Sequence, residues 1–378
     1  MPSPAVTASP ALTAEIRARL GRDVTALGAA AGLAAVGITG AEVFHATRVD
    51  LESRRSRGLS ADMQFTYRNP ARSTDPGRTL SGARSLVVGA LGYRRQDPDD
   101  PPAGRPQGTV ARYARRDHYA TLRTALGGIA DHLVAEGWRA RVVADDNALV
   151  DRAAAQRAGL GWFGRNSLLL LPGLGSWFVL GSVVTDAPLD PSSPIGASAP
   201  AEGCGTCHRC RTACPTGALV ADGVLDARRC LAWLVQAPGT FPVEFREALG
   251  DRIYGCDDCQ QVCPVNLAAD RRTPQLPAEA DTVATVDLVA MLAATDEALI
   301  DAHGRWYIAG RDPRHLRRNA LVALGNVGDG ADPATAEALA RHIEGDDELL
   351  AEHARWAATR LGRTALLVRH GSDGGCGG

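Results

Sequence analysis

The chain has 378 residues, 45% of them hydrophobic, so two or three domains with ordinary buried cores are expected and wholesale disorder is excluded. Its net charge is −2, although every one of the 41 residues counted as lysine or arginine is an arginine. This balance excludes a global basic field that would attract nucleic acid. There is no apolar run of 18 residues and no secretory leader pattern, so a cytoplasmic protein without membrane spans is expected.

Helices and strands alternate along the predicted first half of the chain. Residues 1–11 are expected to be disordered. The elements that follow are a helix at 12–32, a strand at 85–93, a helix at 119–138, a strand at 139–146, a helix at 149–159, and strands at 167–171 and 177–186. Gly159 is placed to close its helix, because glycine tolerates the left-handed conformation found there. This alternation predicts an α/β or α+β domain up to about residue 186.

The composition changes at residue 187. Residues 187–203 are rich in proline, serine, alanine and glycine and are predicted to form a linker. Beyond residue 270 the sequence is mostly helical and shows a weak 37-residue repeat, which pairs Arg318 with Arg355. Helical-hairpin repeats of the HEAT type have about this length. Two copies also fit an irregular helical tail, and both interpretations stay open.

Eight of the nine cysteines lie between residues 204 and 263. In a chain without secretory features such clustering favours metal ligation over disulfides. The first run is Cys204, Cys207, Cys210 and Cys214-Pro215, which reads C-x2-C-x2-C-x3-C-P, as in bacterial ferredoxins. In that pattern three cysteines hold one iron–sulfur cluster and the fourth reaches a different cluster.

A second, shorter run of cysteines keeps the last three positions of the pattern, and Cys230 is the candidate for the missing thiolate. The predicted ligands of one [4Fe–4S] cluster are Cys204, Cys207, Cys210 and Cys263. The predicted ligands of the other cluster are Cys214, Cys230, Cys256 and Cys259. Two structural zinc sites are the alternative, which the crossed spacing disfavours. The ninth cysteine, Cys376, is left as a tail thiol.

A glycine pattern at Gly159-x-Gly161-x-x-Gly164 matches the dinucleotide-binding fingerprint in letters only. That fingerprint requires a strand, then the glycines, then a helix whose N-terminus meets the pyrophosphate. Here the glycines follow a predicted helix and precede a predicted strand. A tight turn between helix and strand, or a turn that lines another cofactor, is therefore favoured over nicotinamide binding.

Several segments around these motifs resemble the epoxyqueuosine reductase family. They are "ADDNALVDRAAAQRAGLGWFGRNSLLLLPGLGSWFVLGSVVTD" (144–186), "CGTCHRCRTACPTGAL" (204–219), "LDARRCLAW" (225–233), "RIYGCDDCQQVCPVN" (252–266) and "RRNALVALGN" (317–326). The resemblance covers roughly residues 80–330 and is specific over 144–266. It implies reduction of epoxyqueuosine to queuosine at the wobble position of tRNA, with two [4Fe–4S] clusters and a cobalamin. No D-x-H-x-x-G signature is present, so cobalamin rests on the resemblance alone.

The resemblance also implies a domain plan and a fold class. The fold expected is a multidomain α+β protein with an N-terminal α/β cobalamin-binding domain, a ferredoxin-like module with two [4Fe–4S] clusters, and a C-terminal HEAT-like helical repeat. The expected boundaries are 12–186 for the cobalamin-binding domain, 187–203 for the linker, 204–270 for the module, and 271–366 for a tRNA-binding helical region.

The family's proton donor corresponds to Asp145, at the end of a predicted strand. The epoxide oxygen leaves as water and needs protons, and a carboxyl beside an apolar cofactor has a raised pKa. The alternative is that Asp145, Asp146 and Asn147 cap the next helix. Residues that match the family's cofactor-binding segments are Tyr113, His118, Asp145, Arg152, Arg165, Asn166, Ser167 and Leu169.

Arginines are dense between residues 305 and 318. The predicted tRNA-binding residues are Arg305, Arg311, Arg314, Arg317 and Arg318, with Asp312 as the one acid among them. Arginines of this kind neutralise phosphates and position nucleic acid. A solvated helix face is the alternative for this segment taken alone, and the family resemblance favours the tRNA anticodon loop as the partner.

Two other functions remain open at this level. One is a related corrinoid iron–sulfur reductase that acts on a small molecule, and the other is a ferredoxin-like electron-transfer protein without a substrate of its own. The cluster chemistry also predicts an external electron donor of the flavodoxin or ferredoxin type, because such clusters pass single electrons. No membrane partner is expected.

Overall fold

The computed structural model describes residues 13–98, 104–193, 203–272 and 275–368. The expected disorder at 1–11 and the glycine-rich tail with Cys376 lie outside the described residues. The elements of the first part are α1 (Ala14–Ala30), β1 (Ala35–Gly40), α2 (His45–Ser56), α3 (Pro70–Ser73), β2 (Ser85–Gly92), β3 (Gln107–Val110), α4 (His118–Ala135), β4 (Ala140–Ala144), α5 (Asp151–Arg157), β5 (Trp162–Phe163), β6 (Leu169–Leu170) and β7 (Phe178–Thr185).

A four-stranded sheet with the order β1-β2-β7-β4 forms the centre of this part. Both of its faces are buried: Val87 packs with α1 and α4 on one face, and Leu86 and Val88 pack with α5 on the other. The strands β2, β4, β6 and β7 confirm the apolar runs predicted as strands, α1, α4 and α5 confirm the predicted helices, and β5 lies outside every predicted strand. The strand β1 was not predicted.

Every strand pair in this sheet is antiparallel, which corrects the expected α/β class for the N-terminal domain to α+β. The order of helices and strands in the sequence did not determine whether neighbouring strands run parallel or antiparallel. A two-residue turn forces an antiparallel pair, whereas a connection long enough to contain a helix can bring the chain back in either direction. The connections from β1 to β2 and from β4 to β7 are of the long kind.

The expected linker at 187–203 is only partly a linker. Ala187 and Leu189 are buried in the first core. Ser192 bonds to β1, since its backbone N–H donates to the oxygen of Ile38 and its hydroxyl accepts from the N–H of Ile38. Residues 187–193 therefore extend the N-terminal domain, and the rest of the predicted linker, 194–202, lies outside the described residues.

Short elements make up the cysteine module, and longer helices follow it. The module contains α6 (Arg209–Ala213), β8 (Leu219–Ala221), β9 (Val224–Leu225), α7 (Leu231–Leu234), α8 (Val243–Leu249), β10 (Arg252–Tyr254), α9 (Asp258–Gln261) and α10 (Pro264–Arg272). The C-terminal part contains β11 (Thr285–Asp287), α11 (Leu288–Ala293), α12 (Asp296–His303), α13 (Arg314–Val327), α14 (Pro333–Ile343), α15 (Glu348–Arg360) and α16 (Ala365–Val368). Among the described residues, no helix is both long and apolar enough to cross a bilayer.

A three-stranded sheet joins the three expected domains. β3 lies between β10 of the module, to which it is parallel, and β11, to which it is antiparallel. Val110 on β3 is buried together with Ile253 and Leu288. The segment around β3 therefore leaves the N-terminal domain and packs with the C-terminal half, which corrects the expected boundary of 12–186.

The C-terminal helices α13, α14 and α15 pack against one another. The 37-residue repeat aligns α13 with α15, and its apolar positions are shared: Ala320 and Ala357 are both fully buried. The arginine position is not shared, because Arg318 is fully buried and Arg355 is half-buried. The repeat thus marks two helices with similar core-facing positions around one helical layer.

Candidate cluster sites and active site

The structure gathers the cysteines into two groups of four. Cys210 on α6 is buried, and this burial raises the pKa of its thiol. The neighbouring thiols that raise it further are those of Cys204, Cys263 and Cys207. These four are the ligands predicted for the first cluster, and they come from both cysteine runs because α6 packs against α9.

The second group also contains buried thiols that influence one another. Burial raises the pKa of the Cys259 thiol well above its usual range. The neighbouring thiols that add to this shift are those of Cys256, Cys230 and Cys214. Burial also raises the pKa of Cys256 to about 12. These four are the residues predicted for the second cluster, including Cys230, which lies outside both runs.

Backbone N–H groups point at several of these sulfur atoms. The N–H of Arg165 donates to Cys204 Sγ at 3.4 Å, and the N–H of Ala218 donates to Cys214 Sγ at 3.2 Å. Burial raises the thiol pKa values of four cysteines, and further backbone N–H donors oppose this rise. The four are Cys210, Cys230, Cys256 and Cys263. Such bonds favour thiolates and tune cluster potentials.

The donor set fits two [4Fe–4S] clusters. Each group offers four thiols with amide donors around them, as cuboidal clusters require. No three His, Cys, Asp or Glu side chains among the described residues are placed to hold a single metal ion. The two observations agree because the thiolates of a cuboidal cluster bind different irons and stand farther apart than the ligands of one ion.

Asp145 follows β4 directly and has an unusual backbone conformation. Its φ is +54°, in the left-handed region that non-glycine residues rarely adopt. Its carboxylate makes no hydrogen bond or ion pair with any described residue, and its surroundings raise its pKa through burial. Arg123 opposes this shift, while Asp117 and Asp146 add to it. A strained, unpartnered carboxyl with a raised pKa is typical of a functional site.

The neighbouring Asp146 has a structural role. Its Oδ1 accepts a hydrogen bond from the N–H of Ala148 at 2.8 Å, which closes a tight turn before α5. The N-cap residue of α5 is Val150, and no side chain caps this helix. The capping alternative for Asp145 therefore does not apply, because Asp146 fixes the turn and leaves the Asp145 carboxylate free.

Aromatic and charged side chains surround Asp145. Burial raises the pKa of Tyr119 on α4, and Asp145 and Asp151 add to the shift. Burial also raises the pKa of Tyr254 on β10, again with a contribution from Asp145. The arginine one turn beyond Tyr119, Arg123, lies over the Tyr119 ring at 5.9 Å. None of these three residues, Tyr119, Arg123 and Tyr254, was predicted to belong to the site. The i, i+4 spacing of Tyr119 and Arg123 indicates only that they share a helix face.

Arg152 links the Asp145 region to the second cysteine group. Its Nη1 donates to the backbone oxygen of Ser167 at 2.9 Å. Its charge also lowers the pKa of the Cys230 thiol, which burial raises. In the same way, Cys259 contributes to the raised pKa of buried Tyr93 in the N-terminal domain. Arg152 and Tyr93 of the N-terminal domain are thus electrostatic neighbours of the second cysteine group, while Arg165 contacts the first.

Polar atoms without partners collect beside Arg152. Trp162 Nε1, Asn166 Nδ2 and Ser167 Oγ are buried and have no hydrogen-bond partner among the described residues, and neither has Asp151 Oδ1. Ser167 also has a left-handed φ of +65°. Buried polar groups normally have partners, so this cluster fits a site where a bound polar molecule supplies them. Asn166 and Ser167 are two of the residues predicted to bind the cofactor, and that role stays a prediction.

Leu169 contradicts that prediction, whereas Arg165, whose side chain is 23% exposed, stays a predicted contact. The Arg165 guanidinium donates to the backbone oxygens of Cys207 at 3.4 Å and Gly205 at 2.5 Å, so it binds the first cysteine loop. The side chain of Leu169 is 2% exposed and belongs to the domain core. A side chain already covered by protein has no surface to offer a cofactor.

Tyr113 and His118 occupy different surroundings. Tyr113 is buried between the two halves, with its ring centroid 6.3 Å from that of Tyr254, and it accepts a hydrogen bond from Gln236 at 3.3 Å. His118 stacks on Tyr93 with ring centroids 5.3 Å apart, and burial lowers its pKa to about 4. Tyr113 therefore lies next to the Asp145 region, whereas His118 lies beside Tyr93.

Arg318 is not a surface residue, which corrects its assignment to tRNA binding. It is fully buried, and it donates to the backbone oxygens of Ala237 at 2.7 Å and Gly239 at 2.6 Å. A guanidinium enclosed in this way cannot reach a phosphate. Its partners lie just after Cys230, so Arg318 fixes the module to α13.

The other four arginines of this segment differ in how far they are neutralised. Arg314 pairs with Asp312 at 2.6 Å and with Asp347 at 3.3 Å, and Arg317 pairs with Asp296 at 2.5 Å. Arg305 donates to the backbone oxygens of residues 114 and 115. Arg311 is exposed and forms no ion pair with any described residue. It is therefore the cation most available to an anionic partner.

Comparison with known proteins agrees with this geometry. Residues 203–266 match the family described as a 4Fe-4S double cluster binding domain. The epoxyqueuosine reductase of Xanthomonas campestris pv. campestris is 35% identical over 350 residues, which cover 88% of this chain and 93% of that protein.

Two solved structures of epoxyqueuosine reductases are similar to this chain over most of its length. One, with an epoxyqueuosine-modified tRNA-Tyr stem loop, has a TM-score of 0.83 at 29% identity and covers 95% of this chain and 96% of its own. The other, from Bacillus subtilis and described with its catalytic aspartate loop swung out of the active site, has a TM-score of 0.80 at 30% identity and covers 92% of each chain.

The fold and the two thiol groups define an iron–sulfur oxidoreductase with two [4Fe–4S] clusters and an attached α+β domain. Identity above 30% over most of both chains identifies it more closely. The chain belongs to the epoxyqueuosine reductase family.

Proposed function

We propose that this protein reduces epoxyqueuosine to queuosine at the wobble position of tRNA. The observation that supports this most directly is Asp145, an unpartnered carboxyl with a raised pKa in a member of this family. One solved relative is described with an epoxyqueuosine-modified stem loop, which supports the same substrate here.

The reaction fixes what the protein must supply. Converting an epoxide to an alkene consumes two electrons and two protons and releases one water. The two cysteine groups would hold the [4Fe–4S] clusters that deliver the electrons singly. Asp145 would protonate the departing oxygen, because its raised pKa keeps it protonated at a higher pH than an ordinary carboxyl.

Cobalamin is the cofactor of the proposed reaction, and residues near Asp145 would bind it. It would supply a reducing metal centre at the epoxide carbon. The residues that would hold it are Arg152, Asn166 and Ser167. Arg152 donates to the backbone of Ser167, and buried polar atoms of Asn166 and Ser167 have no hydrogen-bond partner among the described residues. Tyr119 and Tyr254 would restrict water beside Asp145, because both rings are largely enclosed by protein.

The anticodon loop would bind along the exposed arginines before α13. The wobble base is unpaired, so it can enter a pocket without melting a duplex. This segment contacts the residues around Tyr113 and Tyr254, since Arg305 donates to the oxygen of Ala114 and Tyr254 donates to the oxygen of Tyr307. The C-terminal layer of α13 to α15 would act as a HEAT-like support for the tRNA. Arg305, Arg311, Arg314 and Arg317 are the proposed phosphate contacts.

The decisive experiment is anaerobic purification with added cobalamin, chemical reduction, and incubation with epoxyqueuosine-containing tRNA. Nucleosides released from the tRNA are then analysed by mass spectrometry. Loss of one oxygen from epoxyqueuosine is the expected result. An unchanged nucleoside, in a sample with intact clusters and bound corrinoid, would refute the proposed substrate and favour a reductase of small molecules.

A further inference from the structure

A shallow groove of about 610 Å³ lies on the surface of the cysteine module. Its lining residues are His208, Arg209, Thr212, Ala213, Gln261, Val262 and Leu267. They come from α6 and the loop before it, from α9 and the residue after it, and from α10. Ala213, Val262 and Leu267 contribute apolar surface, and the polar lining residues are His208, Arg209, Thr212 and Gln261.

The groove adjoins the first cysteine group. Cys210 lies on α6 between the lining residues Arg209 and Thr212, and Cys263 follows the lining residue Val262. The second group has a different environment, since Cys256 packs against the buried core that contains Leu231 and Val322. The module therefore has an outer group beside the groove and an inner group beside the core that the module shares with α13.

Unpaired positive charge surrounds this groove. Arg209 is exposed and forms no ion pair with any described residue. Arg271 and Arg272 at the end of α10 are likewise exposed and form none with the described part of the chain. Arg271 lies four residues beyond the lining residue Leu267, and residues at this spacing share a helix face. Three cations thus border one apolar surface in a protein whose overall charge is slightly negative.

Nearby carboxylates do not neutralise these three arginines. Asp222 pairs with Arg165 at 3.3 Å and with Arg211 at 3.4 Å, and it lies 3.6 Å from His208. Asp270 on α10 pairs with Arg94 at 3.4 Å. The acids of this surface are thus already engaged, and the net field at the groove is positive.

We propose that this groove is the docking surface for an acidic one-electron carrier protein, which reduces the outer cluster. The proposal rests on the two clusters of the proposed function. An apolar centre with a polar, charged rim is the usual anatomy of a protein interface, and a positive rim speeds encounter with an acidic partner. In each encounter the carrier loses one electron and the outer cluster gains it. Two encounters supply the two electrons of one epoxide reduction.

The test measures reduction of the clusters without tRNA. Reduced flavodoxin is mixed anaerobically with the cluster-containing protein in a stopped-flow instrument, and the loss of cluster absorbance is followed. The double variant R209E/R271E is compared with wild type and with R22E, a single charge reversal at an exposed arginine of α1 that lies outside the groove. R209Q/R271Q removes the charges without reversing them.

At low ionic strength we expect R209E/R271E to accept electrons at least about tenfold more slowly than wild type, with a smaller loss for R209Q/R271Q and none for R22E. Added salt should narrow the difference, because it screens the attraction. Reduction by excess dithionite should be equal in all four proteins, which shows intact clusters.

Flavodoxin oxidation at the wild-type rate in R209E/R271E would overturn the docking surface. An equal loss of rate with dithionite would also overturn it, since the variant would then have damaged the cluster. A wild-type protein that dithionite cannot bleach would refute the clusters themselves. Failure to convert epoxyqueuosine in tRNA, with cluster reduction unchanged, would refute only the proposed substrate.

Discussion

Arg318 and Asn319 form a buried pair on α13, in which Arg318 Nη2 donates to Asn319 Oδ1 at 2.8 Å. Together they bind the chain that follows Cys230: Arg318 donates to the oxygen of Leu234 at 3.0 Å, and Asn319 donates to the oxygen of Val235 at 2.8 Å. Asn319 also donates to the oxygen of Ile253, the residue before Tyr254 on β10. The C-terminal helices thereby position a ligand of the inner cluster.

This arrangement predicts that R318M is a stability and cluster variant. Loss of the Arg318 guanidinium leaves several buried carbonyl groups without donors, which lowers the free energy of unfolding by on the order of 3 kcal/mol. We expect a lower unfolding midpoint in denaturant and loss of the inner cluster before the outer one during purification. R314Q, at an exposed arginine of the same helix, is the control and should unfold like wild type. An R318M protein with normal stability but weak tRNA binding would restore the phosphate-contact interpretation.

The second prediction concerns Asp145. D145N should retain clusters and corrinoid and lose turnover by about 100-fold or more, because the amide cannot donate the proton. Asparagine also tolerates the left-handed φ of this position, so the loop should keep its shape. The measurement is single-turnover conversion of epoxyqueuosine in tRNA. D131N, at an exposed aspartate of α4, is the matched control. Full turnover in D145N would remove Asp145 from catalysis.

The cysteine grouping was accessible to the sequence because ligand spacing is local and the cluster geometry imposes it. The position of Arg318 was not accessible, since an arginine in a basic segment looks like a surface residue. Its burial depends on the loop from Leu234 to Gly239, about 80 positions away along the chain, as Arg318 and these partners are separated by 79 to 84 residues.

The surroundings of Asp145 were predictable only in part. Its place after a strand follows from the local pattern, and the family resemblance pointed to the residue itself. Its proximity to Tyr254 depends on how β10 pairs with β3, a contact between distant segments that periodicity does not specify. The direction of the strands in the first sheet was open for the same reason.

A third prediction follows from Arg123, whose positive charge lowers the raised pKa of Asp145. As a proton donor, Asp145 supports turnover below its pKa, and the rate should fall as pH rises through it. Removing the cation in R123Q raises this pKa further, so the descending limb of the pH–rate profile should move to higher pH. The profile is measured in single turnover, with R22Q as the control. A shift to lower pH would contradict the assigned role.

The fourth prediction separates the arginines that bind tRNA from those that are already paired. R311Q should weaken binding of an anticodon stem loop and reduce the salt dependence of affinity by about one phosphate contact, because Arg311 has no carboxylate partner among the described residues. R314Q and R317Q should have smaller effects, since Asp312 and Asp296 already neutralise these side chains. Fluorescence anisotropy across a salt series measures both quantities. Identical salt slopes for R311Q and wild type would exclude Arg311.

The final prediction tests the two cysteine groups independently. C230S removes a ligand of the inner group, and C204S removes one of the outer group, so each variant should retain about half of the wild-type iron. C376S in the tail should retain all of it. Because the inner group faces Arg152 and Tyr93, C204S should keep the cluster whose signal responds to added cobalamin, and C230S should lose it. Iron analysis and electron paramagnetic resonance of the reduced proteins measure these outcomes. A cobalamin response that survives in C230S and disappears in C204S would reverse the order of the clusters, and with it the direction of electron flow from the groove.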